Sequence, residues 1–190
     1  MAQLIRSVPI LCAAGSIIFA FGCVANPSDE GEDTTIQESQ SHTQIHTEDD
    51  CDPASWGALC NPNFNGGTTR EEFNAELTAT KTVQAWEYGG GEIRINLGQN
   101  FRVDNVGGEV HTFSVVARFG GGRVPPLNTA SGNDVVAPEC VAGAHATKVD
   151  IASRAGITVT TGANGVMKQR GTFRVQCCIH PWMRATVQIR

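Results

Sequence analysis

The stretch Phe173-Arg174-Val175-Gln176-Cys177-Cys178-Ile179-His180-Pro181-Trp182-Met183 runs from an alternating apolar–polar segment into a turn. That turn carries a thiol, an imidazole and a thioether within seven residues, Cys177 to Met183. Side chains alternate across a strand, so Phe173, Val175 and Cys177 share one face and Arg174, Gln176 and Cys178 the other. The apolar set marks the inner face of a sheet packed on a second layer. Cys177 then points into the sandwich and Cys178 out of it. His180 follows Cys177 by three residues and Met183 by six, so a turn at the strand's end can gather all three around one point, with Pro181 fixing the backbone between them. A soft thiolate, a borderline imidazole and a weak thioether suit copper better than the other common metals. Zinc accepts Cys and His but gains little from Met.

The same parity holds upstream. In Gly108-Glu109-Val110-His111-Thr112-Phe113-Ser114-Val115 the inward set is His111, Phe113 and Val115. Alone, a histidine on a core face reads as a hydrogen-bonded core residue. Beside an inward Cys-x2-His-x2-Met it reads as a ligand, on a strand adjacent in space though distant in sequence, which a Greek key permits. Two imidazoles, one thiolate and a weak axial Met make a type 1 copper set.

Strands are expected at 80–87, 92–97, 100–104, 110–118, 147–152, 156–161, 171–177 and 184–189, rich in Val, Ile, Thr and Phe and separated by Gly, Asn and Pro clusters. One short helix is expected at Thr69–Phe73, with Thr69 as N-cap and acids in its first turn. The fold class is all-β, a Greek-key sandwich or barrel of about eight strands. The segment 119–146 reads as a long irregular loop. There is no sequence repeat and no glycine-rich phosphate cradle.

With these motifs the chain resembles the cupredoxins, the type 1 blue-copper family. The C-terminal run is similar to the short Cys-x2-His-Pro-x-Met loop of amicyanin-like members, and plastocyanin and pseudoazurin are related with longer loops. Val110-His111-Thr112-Phe113 resembles the family strand that carries the first histidine. The resemblance covers roughly 80–190. It implies one type 1 copper ion held by His111, Cys177, His180 and Met183, a one-electron carrier and not an enzyme. It also implies an exposed edge of His180 as the point where electrons pass, with Pro181 and Trp182 as an apolar docking patch; core packing is the alternative for Trp182. The family often has Asn after the first histidine, bracing the ligand loops; here Thr112 takes that place. Cys178 beside the ligand is unusual, and the expected pairings are Cys140 with Cys178 and Cys51 with Cys60.

Chain organisation sets the compartment. Residues 1–23 place Arg6 ahead of an apolar run from Val8 to Phe21, a secretory signal short of a membrane span. Phe19-Ala20-Phe21-Gly22-Cys23 resembles a lipobox apart from Ala20, so Cys23 is either lipidated or incidental to ordinary cleavage. Residues 24–50 hold eight acidic residues and no Lys or Arg, and read as a disordered acidic spacer whose His42 and His46 are solvated. The formal charge of the 190-residue chain is −5, yet residues 51–190 hold 11 acidic against 13 basic residues, scattered singly. That excludes a nucleic-acid patch and suits a monomeric, mildly basic domain meeting redox partner proteins. Of seven Cys, five lie beyond residue 50; two disulfides in an oxidising compartment leave one thiol, and metal ligation accounts for it. His145, in Ala142-Gly143-Ala144-His145, has no companion ligands nearby.

Multicopper oxidases and copper nitrite reductases need further His ligands, commonly His-x-His; residues 51–190 hold only His111, His145 and His180. Copper storage, delivery or sensing would use the same ligands as electron transfer and stays open as the alternative function.

Overall fold

Two sheets of four and five strands face each other in the computed structural model, which describes residues 44–90, 93–141 and 148–190. In chain order the strands are β1 (Gln44–Glu48), β2 (Glu87–Gly89), β3 (Ile93–Ile95), β4 (Asn100–Asn105), β5 (His111–Val116), β6 (Lys148–Ile151), β7 (Gly156–Thr160), β8 (Gly171–Gln176) and β9 (Arg184–Ile189). One sheet is ordered β2-β1-β4-β7 and the other β3-β9-β8-β5-β6. Pairing is antiparallel except for β1 with β4 and β3 with β9. Sheet neighbours are mostly non-consecutive, so the chain crosses between layers as a Greek-key sandwich requires. The layers bury alternate residues against each other: Ile45, Phe101, Val103 and Val159 from one sheet, Phe113, Ile151, Val175 and Val187 among those from the other. β5 and β8 pair with Ser114 opposite Gln176, which carries Cys177 past the ladder toward the end of β5 that bears His111.

Among the described residues three α-helices decorate the sandwich: α1 (Pro53–Trp56), α2 (Arg70–Thr80) and α3 (Pro125–Ala130). Helix α2 starts where expected. Thr69 and Glu72 cap it reciprocally, Glu72 N donating to Thr69 Oγ1 at 3.2 Å and Thr69 N to Glu72 Oε2 at 2.8 Å. It continues to Thr80 and buries Phe73 and Leu77, four apart on one face. The strand expected at 80–87 is therefore corrected: Thr78, Thr80 and Thr82 suggest β structure, but the capped helix runs on until Lys81 closes it with φ 67°, and extended pairing begins only at Glu87. No helix among the described residues is long and apolar enough to cross a membrane.

The expected spacer 24–50 is corrected at its end. Residues 44–48 form β1, a strand paired on both sides, with Ile45 and Thr47 fully buried. Two ladders satisfy its backbone, so a single apolar residue suffices to seat it. His46 lies within this strand, 3.8 Å from Glu48. The expected signal 1–23, Cys23, His42 and His145 lie outside the described residues. The 119–146 segment is not wholly irregular: it contains α3 and a 3-10 turn at Pro138–Cys140.

Candidate metal centre

The turn that carries Cys177 and His180 is a continuation of the β8–β9 hairpin. Cys177 N donates to the Met183 carbonyl and Met183 N to the His180 carbonyl, both at 3.0 Å. These bonds close the loop on itself and turn Cys177 and His180 to the same side. Cys177 Sγ lies 3.9 Å from His111 Nδ1 and 3.8 Å from His180 Nδ1. His111, Cys177 and His180 are the group of His, Cys, Asp and Glu side chains that could hold a metal ion among the described residues, and all three are buried. Met183 is 1% exposed and packs in the same apolar cluster as Cys177. Parity thus places the thiol as expected: Cys177 is the free cysteine among the described residues, while Cys51 pairs with Cys60 and Cys140 with Cys178.

Cys178 leaves the inner face, but not for solvent. It is fully buried with Val116, Ala137 and Cys140, under the segment that follows β5. Gly122 rests on the Cys178 carbonyl so closely that a Cβ there would collide with it, and Arg123 N donates to that carbonyl at 2.6 Å. Thr112 ties the start of β5 to the Cys177–Cys178 segment: its Oγ1 accepts from Cys178 N at 2.7 Å and its N donates to Cys177 Sγ at 3.4 Å.

The expected exposed edge of His180 is corrected. His180 is 2% exposed, because residues 51–86 close over this end of the sandwich. Trp56, Phe73, Leu77, Val83 and Trp86 form an apolar cluster with Cys177 and Met183. Phe73 and Trp86 rings meet edge to face at 4.9 Å, and Trp182 stacks obliquely on Phe73 at 5.7 Å and on His180 at 5.5 Å. Trp182 itself is half-buried.

Four residues at the site carried no functional assignment in the sequence reading. Asp49 Oδ2 lies 2.8 Å from His111 Nε2, both side chains fully buried. Glu109 Oε2 accepts from Trp86 Nε1 at 2.6 Å and lies 3.3 Å from His180 Nε2. Tyr88 donates its hydroxyl to the Thr112 carbonyl. Glu109 lies in the bend just before β5 and Asp49 in the acidic tract, so strand parity reaches neither.

These contacts set the protonation balance of the metal-free site. Burial pushes Cys177 up, but hydrogen bonds and charge from His111 and His180 outweigh it and hold the thiol well below its ordinary value, favouring thiolate. Burial pushes His180 down, but Cys177 and Glu109 outweigh it and raise it to about 9. Asp49, pushed up by burial, is held low overall by His111 and by the backbone N–H groups of Glu109 and Cys51. Burial, and then the charge of Cys177, hold Tyr88 well above the usual phenol range. A thiolate facing two imidazole Nδ1 atoms whose outer nitrogens already have carboxylate partners is a donor set for a soft to borderline cation.

No family model matches the chain, and no curated protein matches it. Solved structures with a similar chain course include a purple cupredoxin from Nitrosopumilus maritimus (12% identity, 77% of this chain and 98% of that chain, TM-score 0.41). An amicyanin variant in its Cu(I) form (16%, 57% and 77%, 0.36) and an auracyanin from Roseiflexus castenholzii (16%, 55% and 87%, 0.33) are also similar. At these identities and TM-scores the likenesses carry no weight of their own. The two-sheet β-sandwich topology itself places one histidine on β5 and a Cys–His pair between the last two strands.

Proposed function

We propose that this chain is a type 1 copper protein that binds one copper ion and carries single electrons between exported redox partners. The observation that supports it is the convergence of His111 Nδ1 and His180 Nδ1 on Cys177 Sγ within 3.9 Å inside a closed apolar cluster. On this reading the three are the strong ligands and Met183, buried beside Cys177, is the weak axial one. When bound, copper supplies a site that changes charge by one electron with little change in coordination. The protein's part is to supply the thiolate, to aim two neutral imidazoles and to exclude water. Loading displaces the protons that His111 and His180 carry in the metal-free site, so affinity rises with pH until both are deprotonated. Both disulfides fit an oxidising compartment, in keeping with a signal at 1–23 and a monomer tethered, if at all, through lipid at Cys23.

The test is Cu(II) addition to reduced, folded protein with the visible spectrum recorded. An intense thiolate-to-copper charge-transfer band is expected; Cys177→Ser abolishes it and Cys178→Ser keeps it. The reverse pattern would reassign the ligand. A reversible one-electron wave separates a carrier from a copper store or delivery protein, and its absence from fully loaded protein would sink the carrier reading.

A further inference from the structure

Behind each ligand imidazole, on the side away from Cys177, stands a buried carboxylate. Asp49 sits behind His111 at 2.8 Å and Glu109 behind His180 at 3.3 Å. Both contacts are to Nε2, and in both rings it is Nδ1 that faces the sulfur. We infer that Asp49 and Glu109 are positioning residues, which hold the two imidazoles by their outer nitrogens and keep the three-donor set assembled before a metal arrives. The inference rests on the proposed metal role of His111, Cys177 and His180.

Burying a carboxylate costs several kcal/mol unless its oxygens are matched by donors. The fold provides those donors at some expense. Asp49 also accepts backbone N–H groups from Cys51 at 3.1 Å, Gly108 at 3.0 Å and Glu109 at 2.9 Å. Gly107 and Gly108 let the backbone come that close, since a Cβ on Gly107 would collide with the Asp49 carboxylate and one on Gly108 with the Cys51–Cys60 sulfurs. The Glu109 N–H held by Asp49 fixes the backbone of the second carboxylate, so the two contacts form one unit. Glu109 in turn accepts from the Trp86 indole at 2.6 Å. A carboxylate behind a ligand histidine fixes ring orientation and raises its basicity, and losing such a partner typically costs about 10–100-fold in metal affinity. The same contact turns the outer edge of His180 toward protein, so this ring is an interior ligand.

A merely structural latch between Glu109 and Trp86 would leave the histidine rings alone, and the experiment separates the two. Glu109→Leu, Glu109→Gln and Trp86→Phe are compared with the parent by the Nε2–H proton resonances of His111 and His180 in metal-free protein and by Cu(I) affinity in chelator competition. In Glu109→Leu the His180 resonance is expected to lose its downfield position while that of His111 stays, with Cu(I) binding about 10–100-fold weaker. Glu109→Gln, which keeps an acceptor, falls between, and Trp86→Phe keeps the His180 resonance. Folded Glu109→Leu with both resonances unchanged and affinity within about threefold of the parent would overturn the assignment. Parent protein that binds no Cu(I) would sink the proposed function instead, while the metal-free resonances still decide the carboxylate assignment.

Discussion

The two faces of the sheet at the end of β8 carry opposite chemistry one residue apart. On the inner face Cys177 is a free thiol among histidines, aromatic rings and Met183. On the outer face Cys178 is oxidised to Cys140 beneath the segment 117–141. Both sulfurs are fully buried, so exposure does not distinguish them. Their neighbours do: Cys177 meets two imidazoles and Cys178 meets another thiol. Strand parity alone delivers adjacent cysteines to these two surroundings, and Thr112 touches both, its amide on Cys177 Sγ and its hydroxyl on Cys178 N.

The largest expected effect falls on the inner side. Phe73 packs against Trp56, Trp86 and Trp182, so Phe73→Ala should cost about 3–5 kcal/mol in denaturant unfolding. Because that cluster covers His180, the same variant should let solvent reach the metal site, read as faster chelator removal of copper. An unfolding loss without faster removal would mean the cap is structural only. On the outer side, Cys140→Ala with Cys178→Ala opens a link spanning 38 residues. Loop-closure entropy puts the loss at about 4 kcal/mol, and native relaxation commonly brings it to about 2–4. The copper charge-transfer band should survive; if it vanished, the faces would not be independent.

Much of this contrast was legible in the sequence because period-two alternation is strong in β5 and β8. His111, Cys177 and their partners Phe113 and Val175 fall on one face wherever the strand begins. The strand between helix and sheet at 80–87 was misread, since Thr-rich sequence suits β pairing and nothing local reveals that Phe73 and Leu77 have a tryptophan surface to cover. β1 was missed for a related reason. Gln44–Glu48 holds Ile45 as its one strongly apolar residue, and its place comes from two backbone ladders that exist only once β2 and β4 are there. The covering of His180 was equally non-local: the cap residues lie 94 or more positions upstream, and family likeness implied an open edge.

Thr112→Val probes the bridge between the faces. It retains shape but leaves the buried Cys178 N–H without its acceptor, a loss of about 1–3 kcal/mol. Thr112→Ser should restore most of it. The copper band should shift in Thr112→Val if the brace sets the Cys177 position, and stay fixed in Thr112→Ser.

The smallest effect concerns Asp49, whose carboxyl is held below the ordinary carboxylate range by His111 and two backbone N–H groups against the upward push of burial. A depressed folded value means the unfolded chain binds the proton more readily. The stabilisation is therefore complete above the unfolded value of about 3.9 and is lost as pH falls through the lower folded value. His111 is protonated in both states throughout that range, since its own value is raised from the ordinary one, so it adds no slope there. Metal-free parent protein should lose stability with acid below about pH 4, with a share from this group of up to about 1.4 kcal/mol per pH unit. Asp49→Asn, less stable overall, should show a shallower acid slope in denaturant unfolding measured from pH 5 downward. Equal slopes would mean that the carboxylate behind His111 keeps its ordinary affinity for protons, and that the outer side of the ring is held by its packing rather than by charge.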